Sequence, residues 1–300
     1  MSAASEDLRC PLCDGASAPA FVTRDRNRAI SDEAFEYRRC VACGVLYLRN
    51  VPADLGRFYP SEYFARPTVA QLRAFARGSE RYRSEILTRH ADGGRLAEIG
   101  PGDGIFAVQA LDAGFEVTGI EMDPAACEHL RATLGIAVVQ SAAPEDALGA
   151  LAPLRVVAAW HVLEHVPDPW ALVDAAAAAL EPGGVLIVAT PNPQAFGLRV
   201  LGGRWPHVDA PRHLFLIPHA TLIDHARGRG LDPVALTHTD AGGLHWNAFG
   251  WHYALRRPGI PPLLDHATRL AGRAVAAALA PVERRGMRGA AYTVVLRKRS

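Results

Sequence analysis

The chain has 300 residues, 49% of them apolar and 21% charged, a composition that supports a buried core and excludes a disordered or fibrous chain. That length suits one large domain with a smaller appendage, because domains average roughly 100 to 200 residues. Thirty-two Lys and Arg against 31 Asp and Glu leave a net charge of +1, which argues against a chain built mainly to neutralise nucleic-acid phosphates, although the arginines of 81–95 and 284–299 leave local basic patches open.

The N-terminus, MSAASEDLRC, lacks the apolar core of a signal peptide, and no run reaches the roughly 18 to 20 apolar residues that span a bilayer. A reducing cytoplasm is therefore expected. Four of the five cysteines, Cys10, Cys13, Cys40 and Cys43, are arranged C-x2-C-x26-C-x2-C. Four thiolates at that spacing suit tetrahedral Zn2+, and a closed four-sulfur site is structural because no position is left for a substrate. Segments below roughly 40 residues seldom form a core unaided, so residues 1–50 are expected to fold as a small zinc-ribbon-like module around the metal. Residues 51–90 follow as a linker and lid helix. A proline-punctuated stretch carries Tyr59, Tyr63 and Phe64, and residues 68–90 read as a helix with Val69, Leu72, Phe75, Ile86 and Leu87 apolar and the arginines outward. The two tyrosines suit either a lid over a ligand or packing on the body.

From Arg95 onward, short apolar runs alternate with helical stretches. RLAEIG, FEVTGIE, IAVVQ, RVVAAW and GVLIVAT read as buried strands, separated by the helical IFAVQALDAG, PAACEHLRATLG, PEDALGALA and PWALVDAAAAALEPGG. Continuous apolar strands with helices between them imply a parallel sheet covered on both faces. Residues 91–240 are thus expected to form a doubly wound α/β core, with an insertion at 191–217, a helix near 218–229 and a strand near 231–238. Within 241–300, residues 255–285 read as one alanine-rich helix or two, and 291–299 as the last strand. The sheet is mostly parallel and seven-stranded, and its ligand site is expected at the carboxyl ends of the strands. Cys127, alone on a helix, reads as core.

EIGPGDG, Glu98 to Gly104, lies between a strand and a helix. Gly100, Gly102 and Gly104 permit a tight turn and close approach to a ligand. Glu121 ends the next strand, where a carboxylate can accept hydrogen bonds from both hydroxyls of a ribose. Dinucleotides and S-adenosylmethionine share this layout. Here the spacing is G-x-G-x-G, and Glu98 and Asp103 add negative charge that repels a pyrophosphate and welcomes a sulfonium and an α-amino group. That contrast favours the methyl donor.

On these residues the chain resembles a class I S-adenosylmethionine-dependent methyltransferase. AWHVLEHVPDP, from Ala159, resembles the fourth-strand motif of the ubiquinone-type methyltransferases, and LEPGGVLIVATPNP, from Leu180, their fifth-strand motif. The resemblance covers roughly residues 90–240. It implies that Glu98, Gly100, Gly102 and Gly104 form the cofactor loop, that Glu121 and Met122 meet the ribose, and that Trp160 and His161 border the cofactor. RVV at 155–157 departs from the family, which has an aspartate opening that strand.

A zinc-bearing head before such a body resembles two groups. The sugar- and polysaccharide-associated methyltransferases carry a C-x-x-C-G knuckle followed by an aromatic stretch. The ribosomal-RNA guanine methyltransferases use a histidine ligand that this sequence lacks, and the near-zero net charge also disfavours RNA.

Nine of the 12 histidines fall between 161 and 252, the region expected around the acceptor. A hydroxyl acceptor must lose a proton during methyl transfer. His213, in a PRHL segment resembling one near the acceptor pocket of the sugar-associated enzymes, is the first candidate base. His161 and His165 follow, sharing a face with Glu164 if the segment is helical. The equivalent stretch of the ubiquinone-pathway enzymes implies a second divalent metal near Glu164 and His165, although His161 replaces its first glutamate. The expected function is methyl transfer to a hydroxyl of a sugar, nucleotide sugar or other small intermediate. An RNA base methyltransferase gripping RNA with its zinc module and a non-catalytic binding protein are the alternatives. For residues 255–282, packing on the body is preferred over a homodimer contact or a membrane-surface contact.

Overall fold

The apolar runs at 94–99, 115–121, 154–160 and 180–191 form largely buried strands, whereas the run at 137–140 is a half-exposed strand at the sheet edge. In chain order the strands are β1 (Ser17–Thr23), β2 (Phe35–Cys40), β3 (Leu46–Leu48), β4 (Gly94–Ile99), β5 (Phe115–Glu121), β6 (Ala137–Gln140), β7 (Leu154–Trp160), β8 (Leu180–Pro191), β9 (Phe215–Leu216), β10 (Leu231–Thr237) and β11 (Ala291–Lys298). The computed structural model describes residues 9–60, 66–255 and 261–300; Tyr63 and Phe64, and with them part of the lid expectation, lie outside the described residues. Two units emerge. One holds 1–59, 191–222 and 243–292, the other 60–190, 223–242 and 293–300.

The second unit contains a seven-stranded sheet ordered β10-β11-β8-β7-β4-β5-β6. Pairs β4–β5, β4–β7, β5–β6 and β7–β8 are parallel, and β10–β11 is antiparallel. The chain winds outward through β4, β5 and β6, then restarts beside β4 at β7 and continues to β8. The carboxyl ends of β4 and β7 therefore flank the topological switch point, where open α/β sheets bind their ligands. Leu96, Phe106, Val156, Ala158, Val185 and Ile187 form the core between sheet and helices.

Helices α1 (Val69–Arg77) and α2 (Arg81–His90) replace the single helix expected over 68–90. Thr68 and Gln71 form a capping box at the start of α1, and Gly78 ends it by donating its N–H to the carbonyls of Ala74 and Phe75. Phe75 is exposed rather than apolar core, and Arg83 turns inward with its side chain 17% exposed. Then come α3 (Ile105–Asp112), α4 (Pro124–Leu134), α5 (Pro144–Leu151) and α6 (Pro169–Ala179). Asp123 caps α4 by accepting the N–H of Ala126, and Asp168 caps α6 by accepting those of Trp170 and Ala171. Strand β8 begins at Leu180, four residues before the apolar run GVLIVAT, with a register shift before Val185. Cys127 is buried, as expected.

In the first unit β1-β2-β3-β9 form an antiparallel sheet. Its last strand comes from the 191–217 insertion, so this insertion and the N-terminal cysteine segment share one sheet. Helix α7 (Phe196–Leu201) precedes β9, and α8 (His219–Arg227), α9 (Ala241–Leu255) and α10 (Pro262–Glu283) follow it. Buried Asn192 donates to the carbonyls of Met287 and Gly289, and buried Asn247 accepts the N–H of Ala290. Leu263, Leu264 and Leu270 of α10 remain exposed. Among the described residues, no helix is long and apolar enough to cross a membrane.

Candidate functional site

β4 ends at Ile99, and Gly100, Gly102 and Gly104 then take φ of +61°, +53° and +89°. These left-handed values exclude side chains at low cost, which is why the turn is built from glycine. A Cβ on Gly100 would lie 2.8 Å from Val162 Cγ2, and one on Gly104 2.8 Å from Leu130 Cδ2. Gly104 caps α3, which follows directly. Glu121, at the end of β5, accepts the N–H of Gly102 at 3.1 Å through one oxygen and those of Met122 and Asp123 at 2.8 and 3.0 Å through the other. A carboxylate has about four lone-pair sites, so acceptor capacity remains for a ligand. Met122 offers its backbone here, its side chain being exposed.

Glu98 is fully buried beneath this loop. Burial, reinforced by the charge of Glu121 and opposed by Arg83, pushes its carboxyl up to about 8. The negative charge expected of Glu98 is therefore withheld at neutral pH until a cation draws the proton off. Burial likewise raises Glu121, against its three backbone hydrogen bonds. Trp160 closes β7 and packs on Phe106 and Tyr82, with ring centroids 5.3 and 5.9 Å away. The Arg83 guanidinium lies 5.2 Å from its ring centroid and pairs with Glu80 at 2.9 Å. Glu98 Oε2 and Trp160 Nε1 are buried without hydrogen-bond partners among the described residues. Acidic groups, backbone laid bare by glycine and unmatched polar atoms fit a cationic, ribose-bearing cofactor. Tyr82 and Arg83 were hidden in the sequence among outward-reading arginines; their only signal was an aromatic on the apolar stripe of α2.

The cysteines form the second constellation. A turn after Cys10 returns the chain so that Cys10 N–H donates to Gly15 at 2.8 Å, and a second turn brings Cys40 N–H to Val45 at 2.9 Å. Sγ atoms of Cys10 and Cys43 lie 3.8 Å apart, and those of Cys13 and Cys40 3.4 Å apart. All four fall within 4.8 Å of one another. Tetrahedral Zn–S bonds of about 2.3 Å place sulfurs about 3.8 Å apart, so the set fits zinc. Burial pushes the Cys10 thiol up to about 11, and a divalent cation would supply the charge that thiolates need at neutral pH.

A family model for a methyltransferase domain matches residues 70–236, more than half of the chain. The protein is a class I S-adenosylmethionine-dependent methyltransferase. It is 32% identical over 176 residues to a ubiquinone biosynthesis O-methyltransferase of Cereibacter sphaeroides, covering 55% of this chain and 68% of that one. It is 32% identical over 174 residues to the Ralstonia nicotianae protein of the same name, covering 54% and 71%. A crystal structure of a candidate sarcosine dimethylglycine methyltransferase from Galdieria sulphuraria shares the fold, with TM-score 0.52, 14% identity and coverage of 76% and 87%.

In this methyltransferase the WHVLEHV segment is a turn, not a helix. His161 nevertheless meets Glu164, Nδ1 to Oε1 at 3.5 Å. His161 holds φ of +57° while its N–H donates to Ala189 at 2.8 Å; a non-glycine residue there costs on the order of 1–2 kcal/mol, strain typical of functional positions. The N–H of His165 donates to Val162 at 2.9 Å. Buried Glu164 accepts the Thr190 hydroxyl at 2.9 Å. One oxygen of this carboxylate is held by Thr190, and the other faces His161.

In the other unit His213 Nδ1 lies 2.9 Å from the His207 carbonyl, which only a protonated Nδ1 can satisfy. The neutral ring therefore carries its lone pair on Nε2, 4.0 Å from Asp209. His207 Nε2 donates to the Trp246 carbonyl at 2.8 Å within a cluster of Trp205, Trp246 and Phe249. Arg212, wholly buried, binds Asp209 through two nitrogens at 2.8 and 2.7 Å and Asp25 at 3.0 Å. Burial acts to raise Asp209, but the hydrogen bonds and charge of Arg212 outweigh it and hold the carboxyl well below the usual range.

Proposed function

We propose that this methyltransferase delivers the methyl group to a hydroxyl of a sugar, nucleotide sugar or other small biosynthetic intermediate. S-adenosylmethionine would supply an electrophilic methyl on a cationic sulfur. The tie between Gly102 and Glu121 carries the donor half of the reading, because it presents a carboxylate beside bare loop backbone. Glu121 would orient the ribose, and Glu98, once ionised, would balance the positive charge. The O-methyltransferase relatives support oxygen as the atom methylated. Zn2+ on Cys10, Cys13, Cys40 and Cys43 is proposed as structural.

His213 is the proposed general base, because its donated Nδ1–H directs the basic lone pair to Nε2. His161 and His165 are the second candidates, His161 for its strained backbone and its contact with Glu164. The 4-3 spacing of Leu263, Ala267, Leu270, Ala274 and Ala277 makes α10 the proposed homodimer contact, to be checked by sedimentation velocity.

Incubation with methyl-labelled S-adenosylmethionine and a panel of nucleotide sugars and other hydroxylated intermediates should yield an O-methylated product, located by NMR. His213→Ala should keep cofactor binding and lose turnover. Methyl recovered on nitrogen or carbon would refute the hydroxyl assignment, and undiminished turnover would refute the base.

A further inference from the structure

A cavity of about 450 Å³ opens in the first unit between the loop after β1 and the segment that follows α7. Arg24, Arg26, Ser31, Asp32, Arg204 and Tyr253 are among its lining residues. Among the described residues, Arg26 and Arg204 form no ion pair, whereas Arg38 and Arg212 do. Arg24 spends one N–H on the backbone carbonyl of Asp32. The acidic residues do not cancel this charge. Asp25 also borders the cavity, but its carboxylate is buried on Arg212 and accepts the N–H groups of Arg28 and Ile30. Asp32 stands against three guanidinium groups, and the one Arg212 pairs with both Asp25 and Asp209, so the local surplus is one positive charge by count.

The loops bearing these arginines are fixed from below. Thr23 donates to the Gly203 carbonyl, one residue before Arg204. Asn27 donates to the Pro206 carbonyl and to Asp209. Arg212 joins Asp25 to Asp209, and so joins the two loops through an ionic triad in which Arg212 and Asp25 are buried and Asp209 is half-buried. Buried ion pairs stabilise little relative to apolar packing, because desolvation offsets their attraction. Their effect here is to fix geometry, holding cationic side chains from two distant parts of the sequence around one space.

We infer that this cavity binds the phosphate group of a small molecule. Guanidinium forks bind phosphate oxygens in pairs, and three such groups around one space with a net positive charge suit a phosphate. Tyr253, whose ring stacks on Phe249 at 4.1 Å, gives the cavity an aromatic wall for an organic portion. A near-neutral chain with a confined basic cavity suits a small anion better than a polynucleotide, which needs an extended basic track. The inference stands apart from the methyl-transfer reading and does not depend on its acceptor.

The test is calorimetry on the full chain with inorganic pyrophosphate, uridine diphosphate and a short single-stranded RNA as probes. Binding of pyrophosphate or uridine diphosphate is expected, weakened about tenfold or more by Arg204→Ala and by Arg26→Ala, with partial recovery in Arg204→Lys. Arg229→Ala should change nothing, because Arg229 pairs with Asp174 in the other unit. Tighter binding of uridine diphosphate identifies a phosphate ester as the ligand, and equal affinity identifies free phosphate; both support the inference. Thermal melting equal to wild type excludes misfolding of the variants, since all three arginines are exposed. The inference is overturned by absence of binding at millimolar probe, by undiminished affinity in both alanine variants, or by RNA binding tighter than either small probe.

Discussion

Glu121 accepts the backbone N–H of Gly102 at 3.1 Å, so the proposed ribose carboxylate also holds the glycine loop in place. Removing it deprives three backbone N–H groups of their acceptor. Glu121→Ala should destabilise the protein by about 1–3 kcal/mol in urea unfolding, and Glu121→Gln, which keeps one acceptor oxygen, by less. Equal, wild-type stability of both variants would contradict the tie.

Gly100 and Gly135 share a left-handed backbone but differ in their surroundings. A Cβ on Gly100 meets Val162 at 2.8 Å, while one on Gly135 meets nothing within 4 Å. Gly135→Ala should cost about 1 kcal/mol from backbone conformation alone. Gly100→Ala should add about 1–3 kcal/mol of overpacking and weaken cofactor binding. Identical losses would show that Val162 yields freely.

Glu98 gives a signed pH dependence. Its folded carboxyl sits near 8, above its unfolded value. Between about 4.5 and 8 the unfolded chain has released this proton and the folded chain has not, so stability falls as pH rises through that window. Glu98→Gln should remove this component. Its stability relative to wild type should grow by a few kcal/mol between pH 5 and pH 8, an order-of-magnitude figure. A pH-independent difference would contradict a buried, protonated Glu98.

Much of this was legible before the structure. The central parallel strands β4, β5, β7 and β8 could be read because burial makes them largely apolar, and the glycine loop because its positive φ values leave few other residue choices. The cysteine pairs were legible because metal ligation fixes their spacing. The break at Gly78 was not, because apolar spacing runs through it and capping decides where α1 stops. Arg83 was misread because Trp160, over whose ring its guanidinium lies, belongs to a distant strand. The sharing of β9 with the N-terminal sheet was equally hidden, since a two-residue strand has no periodicity. The Asp25–Arg212–Asp209 triad depends on contacts across nearly two hundred residues of sequence, which no local pattern records.

That triad makes its own prediction. Arg212→Ala leaves buried Asp25 and half-buried Asp209 without their cation, and loss of one partner from a buried ion pair costs about 3–5 kcal/mol. Arg227→Ala, at an exposed pair with Asp224, should cost well under 1 kcal/mol. Chemical denaturation of both variants checks the contrast, and comparable losses would contradict it.

Metal removal should act on the first unit. The protein should contain one equivalent of zinc by elemental analysis, and Cys10→Ser or Cys40→Ser should lower that content and the melting temperature together. Full stability after chelation would argue against a structural metal.

The central claim is that the Glu98–Gly104 loop and Glu121 bind S-adenosylmethionine. Calorimetry with S-adenosylhomocysteine tests it most directly. One equivalent should bind the wild-type protein, NAD should not compete, and Glu121→Ala should weaken the affinity by roughly tenfold or more through loss of hydrogen bonds to a charged acceptor. No binding by the wild type, or equal affinity in a folded Glu121→Ala variant, would contradict the account.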